Sequence, residues 1–125
     1  MCVGSLASSK QNSTTEIVQE FSAYIHFIHL RNIIKEPNGS FYESDHLGGD
    51  VDMYQVIKQI IREENYRLKR GNDCIIPMRP DHGHSLLDDQ SKKNFNPGYT
   101  AIGRLMGLSE SVSYTHLTLP TKRIV

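Results

Sequence analysis

A chain of 125 residues and 14.2 kDa is at most one domain, or a piece of a larger one. Its 14 Lys+Arg balance 14 Asp+Glu, so it has no basic stripe for duplex nucleic acid or an anionic membrane, and neither is expected as a partner. No apolar run reaches the roughly 20 residues of a bilayer helix, and Met1-Cys2-Val3-Gly4 lacks the parts of a secretory signal, which makes the cytoplasm the expected compartment.

The predicted elements alternate. Ser13-Thr14-Thr15-Glu16 has the spacing of a capping box, and Ile17, Val18 and Phe21 give an apolar face, so a short helix is expected from about Thr14. Tyr24-Ile25-His26-Phe27-Ile28-His29-Leu30 is rich in β-branched and aromatic types and reads as a strand covered on both sides. Period two puts Ile25, Phe27, His29 and Arg31 on one face, His26 and Ile28 on the other. Residues 35–49, with Pro37-Asn38-Gly39 and Gly48-Gly49, read as a long loop. Asp50 is the expected cap of the longest helix, in which Met53, Tyr54, Ile57, Ile60, Ile61 and Leu68 recur at helical spacing before Gly71-Asn72. Cys74-Ile75-Ile76-Pro77-Met78 is a second short strand despite its proline. Residues 79–98 read as another long loop. Residues 99–107 form the last helix, with Ile102, Leu105, Met106 and Leu108 as its apolar stripe.

This order argues for parallel strands joined by right-handed helical crossovers. Two such strands leave open edges and uncovered apolar faces. The expected fold class is therefore α/β, the C-terminal portion of a (β/α)8 TIM barrel that is incomplete in this chain, because a whole barrel takes about 250 residues. Residues 112–125 depart from the helical pattern and resemble translated sequencing-adapter read-through. The expected division is a partial barrel over 1–111, carrying the last βα units, and a non-native tail over 112–125 that takes His116 with it.

The densest chemistry is Arg79-Pro80-Asp81-His82-Gly83-His84, directly after the second strand, and His29-Leu30-Arg31-Asn32 holds the same place after the first. In an α/β barrel such positions line the active site. Cys2 stands before a Gly-Ser turn, where a preceding strand would end. Three strand ends would thus bring a thiolate, an imidazole and a carboxylate to one mouth. That S/N/O set suits a divalent transition metal better than Ca²⁺ or Mg²⁺.

Several segments together resemble one family. They are Cys2-Val3-Gly4-Ser5-Leu6, Ile25-His26-Phe27-Ile28-His29-Leu30-Arg31-Asn32, Gly49-Asp50-Val51-Asp52-Met53-Tyr54, Ile76-Pro77-Met78-Arg79-Pro80-Asp81-His82-Gly83-His84, Asn96-Pro97-Gly98-Tyr99 and Ala101-Ile102-Gly103-Arg104-Leu105. In order and separation they look like the C-terminal third of mannonate dehydratase, from Cys2 to about Glu110. The family's usual glycine is Ala7 here, and its usual Asn-Asp pair is Asn12-Ser13.

The resemblance implies a xylose-isomerase-like barrel that dehydrates D-mannonate to 2-dehydro-3-deoxy-D-gluconate with Mn²⁺ or Fe²⁺. By motif, Cys2, His29 and Asp81 would be metal ligands, the fourth ligand being a histidine upstream of Met1. His82 and Tyr99 are the candidate acid and base, their roles not distinguished, and Arg31 and His84 the candidate contacts to substrate carboxylate or hydroxyls. The parent would be a hexuronate-degrading enzyme, with a homo-oligomer left open and the 125-residue piece expected to be inactive.

Other readings stand beside these. Another sugar or sugar-acid isomerase on the same barrel would share the metal-lined mouth. A non-catalytic metal-binding module would fold alone and hold its ion. Structural alternatives are a frayed thiol for Cys2, a satisfied buried histidine for His29, a cap for Asp81, an ion-pair partner for Arg79 and a packing anchor for Tyr99. His26 is expected against a helix, Cys74 in the core, and Asp88, Asp89, Lys92 and Lys93 on a solvated face.

Overall fold

The computed structural model describes residues 1–89, 91–94 and 96–118. In chain order it contains α1 (Val3–Ala7), α2 (Thr14–Phe21), a 3-10 turn (Ser22–Tyr24), β1 (Ile28–Leu30), β2 (Ile33–Lys35), β3 (Phe41–Glu43), α3 (Met53–Lys69), β4 (Met78–Pro80), a second 3-10 turn (Leu87–Asp89) and α4 (Ala101–Thr118). No helix among the described residues is long and apolar enough to cross a membrane.

The expected parallel pair is present: β1 and β4 run parallel, with Ile28 beside Met78, His29 beside Arg79 and Leu30 beside Pro80, and α3 lies between them in the chain. On the other edge of β1, Cys2 bridges His29 in parallel. There the Met1 amino group donates to Phe27 O at 2.8 Å and His29 N–H donates to Met1 O at 2.9 Å. Ile28 and Leu30 face the core, where Val3, Val18, Ile33, Val56, Ile57, Ile60 and Ile76 meet them. Each such side chain taken from water is worth about 1.5–3 kcal/mol, so these residues dominate the packing of α1, α2 and α3 on the strands.

Both strands are shorter and later than expected. Residues 22–25 do not join a ladder because Arg67, buried on α3, donates to the carbonyls of Ser22, Ala23 and Ile25 at 3.0, 3.2 and 3.0 Å. The strand pattern therefore begins only at Ile28. Ile25 is buried as expected, whereas Phe27 and His26 are exposed rather than packed. Before β4, Ile76 N–H goes to Glu64 Oε1 at 2.8 Å instead of to a strand, and Ile75 is exposed while Cys74 is half-buried.

Residues 35–49 are not one loop. β2 and β3 form an antiparallel hairpin, Ile33 beside Glu43, Ile34 beside Tyr42 and Lys35 beside Phe41, closed by a turn in which Gly39 takes φ +92°. The cap of α3 is Asp52, whose Oδ1 accepts from Gln55 N–H at 3.0 Å. Asp50 instead accepts from Lys35 N–H at 2.9 Å. Ser13 makes no side-chain cap on α2, so the capping box does not form. Leu68 is exposed on α3 and Arg67 takes the buried position.

The last helix is longer than expected. It continues through Thr118, past the end expected at 107 and into the stretch expected as a tail from 112, because Tyr114 packs against the core and lies 5.9 Å from the Tyr54 ring. Residues 119–125, the rest of the expected tail, lie outside the described residues. Of the expected core stripe Ile102, Leu105, Met106 and Leu108, Ile102 is half-buried and the other three are exposed, while Gly103 and Gly107 are buried. A Cβ on Gly83 would come within 1.9 Å of the Gly103 carbonyl carbon, so two bare backbones touch there. Asp89 is also buried and not on a solvated face.

Candidate functional site

Parallel pairing carries the carboxyl ends of β1 and β4 to the same side. His29, between core-facing Ile28 and Leu30, projects to the opposite face of its strand. Its Nε2 lies 2.9 Å from Asp81 Oδ1, one residue past the end of β4. Against a carboxylate that nitrogen must be the donor, so Arg79 Nη2, 3.1 Å from Nε2 and 3.4 Å from Nδ1, can donate only to Nδ1. Burial lowers the His29 pKa, the hydrogen bond that His29 donates to Asp81 opposes that shift, and the cations Arg79 and Arg31 reinforce it. A neutral imidazole follows near neutral pH, the form a metal requires.

Asp81 is buried and gathers further groups. Its Oδ1 lies 3.6 Å from His82 Nε2, and Glu43 Oε2 lies 3.4 Å from the same nitrogen. Ligand atoms of Glu43, Asp81 and His82 all fall within 4.8 Å of one another, so among the described residues these three could hold a cation together. Glu43 comes from β3 and is tied by its Oε1 to Arg31 Nη1 at 3.2 Å, while Arg31 Nη2 donates to Ser5 Oγ at 2.9 Å. The His82 ring stacks on Tyr99, centroids 4.4 Å apart and planes at 29°. Tyr99 is aimed by a turn in which Gly98 has φ +82° and Tyr99 N–H donates to Asn96 O at 3.0 Å. A cavity of about 490 Å³ lined by Arg79, Pro80, Asp81, His82, Arg104 and Leu105, among others, opens beside these groups. A larger one, about 750 Å³, lies at the amino ends of the strands among His26, Glu63 and Arg67, away from the donor set.

Of the residues singled out from sequence, the fold brings together His29, Asp81, His82 and Tyr99, with Arg31 joined to them through Glu43. Cys2 is the backbone neighbour of His29 and half-buried; it is outside the group of three close donors. His84 is exposed, and its carbonyl accepts from Thr100 Oγ1 at 3.3 Å. Sequence reasoning missed Glu43 and His46. His46 is buried, its Nε2 accepting from Asp81 N–H at 2.8 Å; burial lowers its pKa, with Glu110 and Asp81 opposing. Asn-Gly between two short β-rich runs was the signal that could have found the hairpin carrying Glu43; no spacing pointed to His46.

The family model for D-mannonate dehydratase (UxuA) matches residues 1–117. Mannonate dehydratase 2 of Agrobacterium fabrum is 48% identical over 110 residues, 88% of this chain and 28% of its own length. Mannonate dehydratase of Saccharophagus degradans is 43% identical over 117 residues, 93% of this chain and 30% of its own length. The chain thus spans less than a third of either relative, and the resemblance expected from its strand-end motifs is borne out over nearly all of it. With the match reaching from the first residue to the last turns of α4, the chain belongs to the D-mannonate dehydratase (UxuA) family.

Proposed function

We propose that this chain carries part of the active site of a hydro-lyase that removes water from D-mannonate to give 2-dehydro-3-deoxy-D-gluconate. The observation that carries the reading is the meeting of His29 and Asp81 at adjacent parallel strand ends, in a chain whose relatives are named for that reaction. The fold we propose for the longer protein is a (β/α)8 barrel, with β1, α3 and β4 as one of its βα units and the following strand. We place it in the cytoplasm, as a carbohydrate-degrading enzyme with a small sugar acid as substrate and neither nucleic acid nor membrane as partner.

The donors present fit a divalent transition metal, Mn²⁺ or Fe²⁺. His29 offers a neutral imidazole, Asp81 a buried carboxylate, and Cys2 stands next along the strand edges with a thiol. Bound there, the ion would act as a Lewis acid on charge developing at the substrate carboxylate. The remaining work falls to protein groups. A proton must leave C2, and the C3 hydroxyl must depart as water by taking up a proton. His82 and Tyr99, stacked together, are the pair we assign to these transfers, with Glu43 fixing the His82 ring at Nε2. Arg31, His84 and Arg79 are the groups we assign to the substrate's carboxylate and hydroxyls.

Two measurements test this. Titration of the chain with Mn²⁺, followed by electron paramagnetic resonance, should show one site that Asp81→Ala and His29→Ala each weaken by about tenfold or more. Grafting residues 2–110 in place of the matching stretch of the Agrobacterium fabrum relative should leave D-mannonate turnover, and Asp81→Asn in the graft should lower kcat/KM by about 100-fold or more. Mn²⁺ binding indifferent to both alanine variants, or graft turnover indifferent to Asp81→Asn, defeats the proposal.

A further inference from the structure

His46 does more than fill space beneath the site. Asp81 is the first residue after β4, and its N–H donates at 2.8 Å to the Nε2 of His46, a side chain from the segment between β3 and α3. A nitrogen that accepts carries no proton, so the ring proton sits on Nδ1, which faces Glu110 Oε2 on α4 at 3.5 Å. His46 as a residue is 5% exposed, and its backbone is held as well, because Asn32 Nδ2 donates to the His46 carbonyl at 2.8 Å. The same Asn32 ties Val51 through Nδ2 and Oδ1, so the end of β1 and the approach to α3 share one anchor. On the α4 side a Cβ at position 107 would stand 2.4 Å from His46 Cε1, and glycine there leaves the ring its place.

We propose that His46 is a positioning residue for Asp81: it captures the backbone N–H as the chain leaves β4 and thereby turns the carboxylate toward His29. The inference rests on the reading of Asp81 as a metal ligand. A ligand held by a fixed backbone binds its ion without first paying to order itself, which is how outer-shell partners come to be worth about 10- to 100-fold in metal affinity.

The test uses two polar replacements of similar size. His46→Gln places an amide oxygen where Nε2 was, whereas His46→Asn places its polar group near the Nδ1 position and leaves Asp81 N–H without an acceptor. A role in packing alone would be disturbed similarly by both. We expect His46→Asn to speed exchange of the Asp81 amide proton by about tenfold or more in the metal-free chain and to weaken Mn²⁺ binding by about tenfold, with His46→Gln within about threefold of the parent on both. Equal effects of the two variants, or an Asp81 amide unaffected by His46→Asn, overturn the proposal. Asp81→Ala separates the two readings: Mn²⁺ affinity unchanged by Asp81→Ala removes the ligand reading, while the amide exchange still reports on His46. Nitrogen-15 spectra of the unsubstituted chain serve if a variant does not fold, since a protonated His46 Nε2 overturns the proposal without any substitution.

Discussion

Two preferences oppose each other at Gly107. In the interior of α4 an alanine would be favoured over glycine by about 1 kcal/mol on helix propensity. Its methyl group would also stand 2.4 Å from a ring whose Nε2 accepts from Asp81 N–H, in a residue whose backbone carbonyl accepts from Asn32 Nδ2. The clash wins, because the ring cannot turn away without leaving a buried N–H unpaired. Gly107→Ala is therefore expected to lower stability by about 1–3 kcal/mol in a denaturant titration, and a variant as stable as the parent would mean that the ring yields. The same contact explains why part of the site was legible and part was not. His29 and Asp81 stand at strand ends, which a hydrophobic pattern locates. His46 acts through one backbone hydrogen bond across 35 residues of chain, and no local pattern encodes that.

The elements divide in the same way. α3 was legible because Met53, Ile57, Ile60 and Ile61 repeat on one face and are buried, but its cap was misplaced by two residues, since Asp50 and Asp52 are equally good candidates by type. The structure separates them: Asp52→Ala should cost about 1 kcal/mol through the lost bond to Gln55 N–H, measured as a shift in unfolding midpoint. The β2–β3 hairpin was hidden because Phe41 and Tyr42 are exposed and show no buried alternation. On α4 three of the four expected core positions are exposed, because a glycine face can bury itself by close approach and leaves no apolar signature. The 3-10 turn Leu87–Asp89 is a further element without one. It is built on a single carboxylate: Asp89 accepts from Lys92 Nζ at 2.7 Å and from Leu86 N–H at 3.0 Å. These partners, Lys92 first, lower the Asp89 pKa below its ordinary value. A depressed folded-state pKa gives stability that is present above the unfolded value and lost as pH falls through the folded one. Protection of residues 86–89 against proteolysis should thus hold at neutral pH and fail below the ordinary aspartate range, and Asp89→Asn should flatten that dependence.

Taken whole, the molecule leaves apolar surface where its strands stop pairing. Among the described residues β4 pairs only with β1, and along its outer side a groove of about 290 Å³ is lined by Leu30, Ile75, Ile76, Met78, Leu108 and Val112, among others. Ile75 is 68% exposed and Leu105 64%. An open parallel edge beside exposed apolar side chains is a template for association, and a two-stranded sheet has no second layer of strands to cover it. The 125-residue chain should therefore self-associate at micromolar concentration in sedimentation velocity, and Leu105→Glu with Leu108→Glu should shift it toward monomer. The same openness bears on chemistry. Tyr99 is 54% exposed, so the pair assigned to proton transfer is wet, and water at that point weakens every electrostatic interaction on which the elimination depends. With Mn²⁺ and D-mannonate the chain alone is expected to show no turnover. Turnover by a monomeric sample, abolished by Asp81→Ala, would show instead that the walls present here suffice.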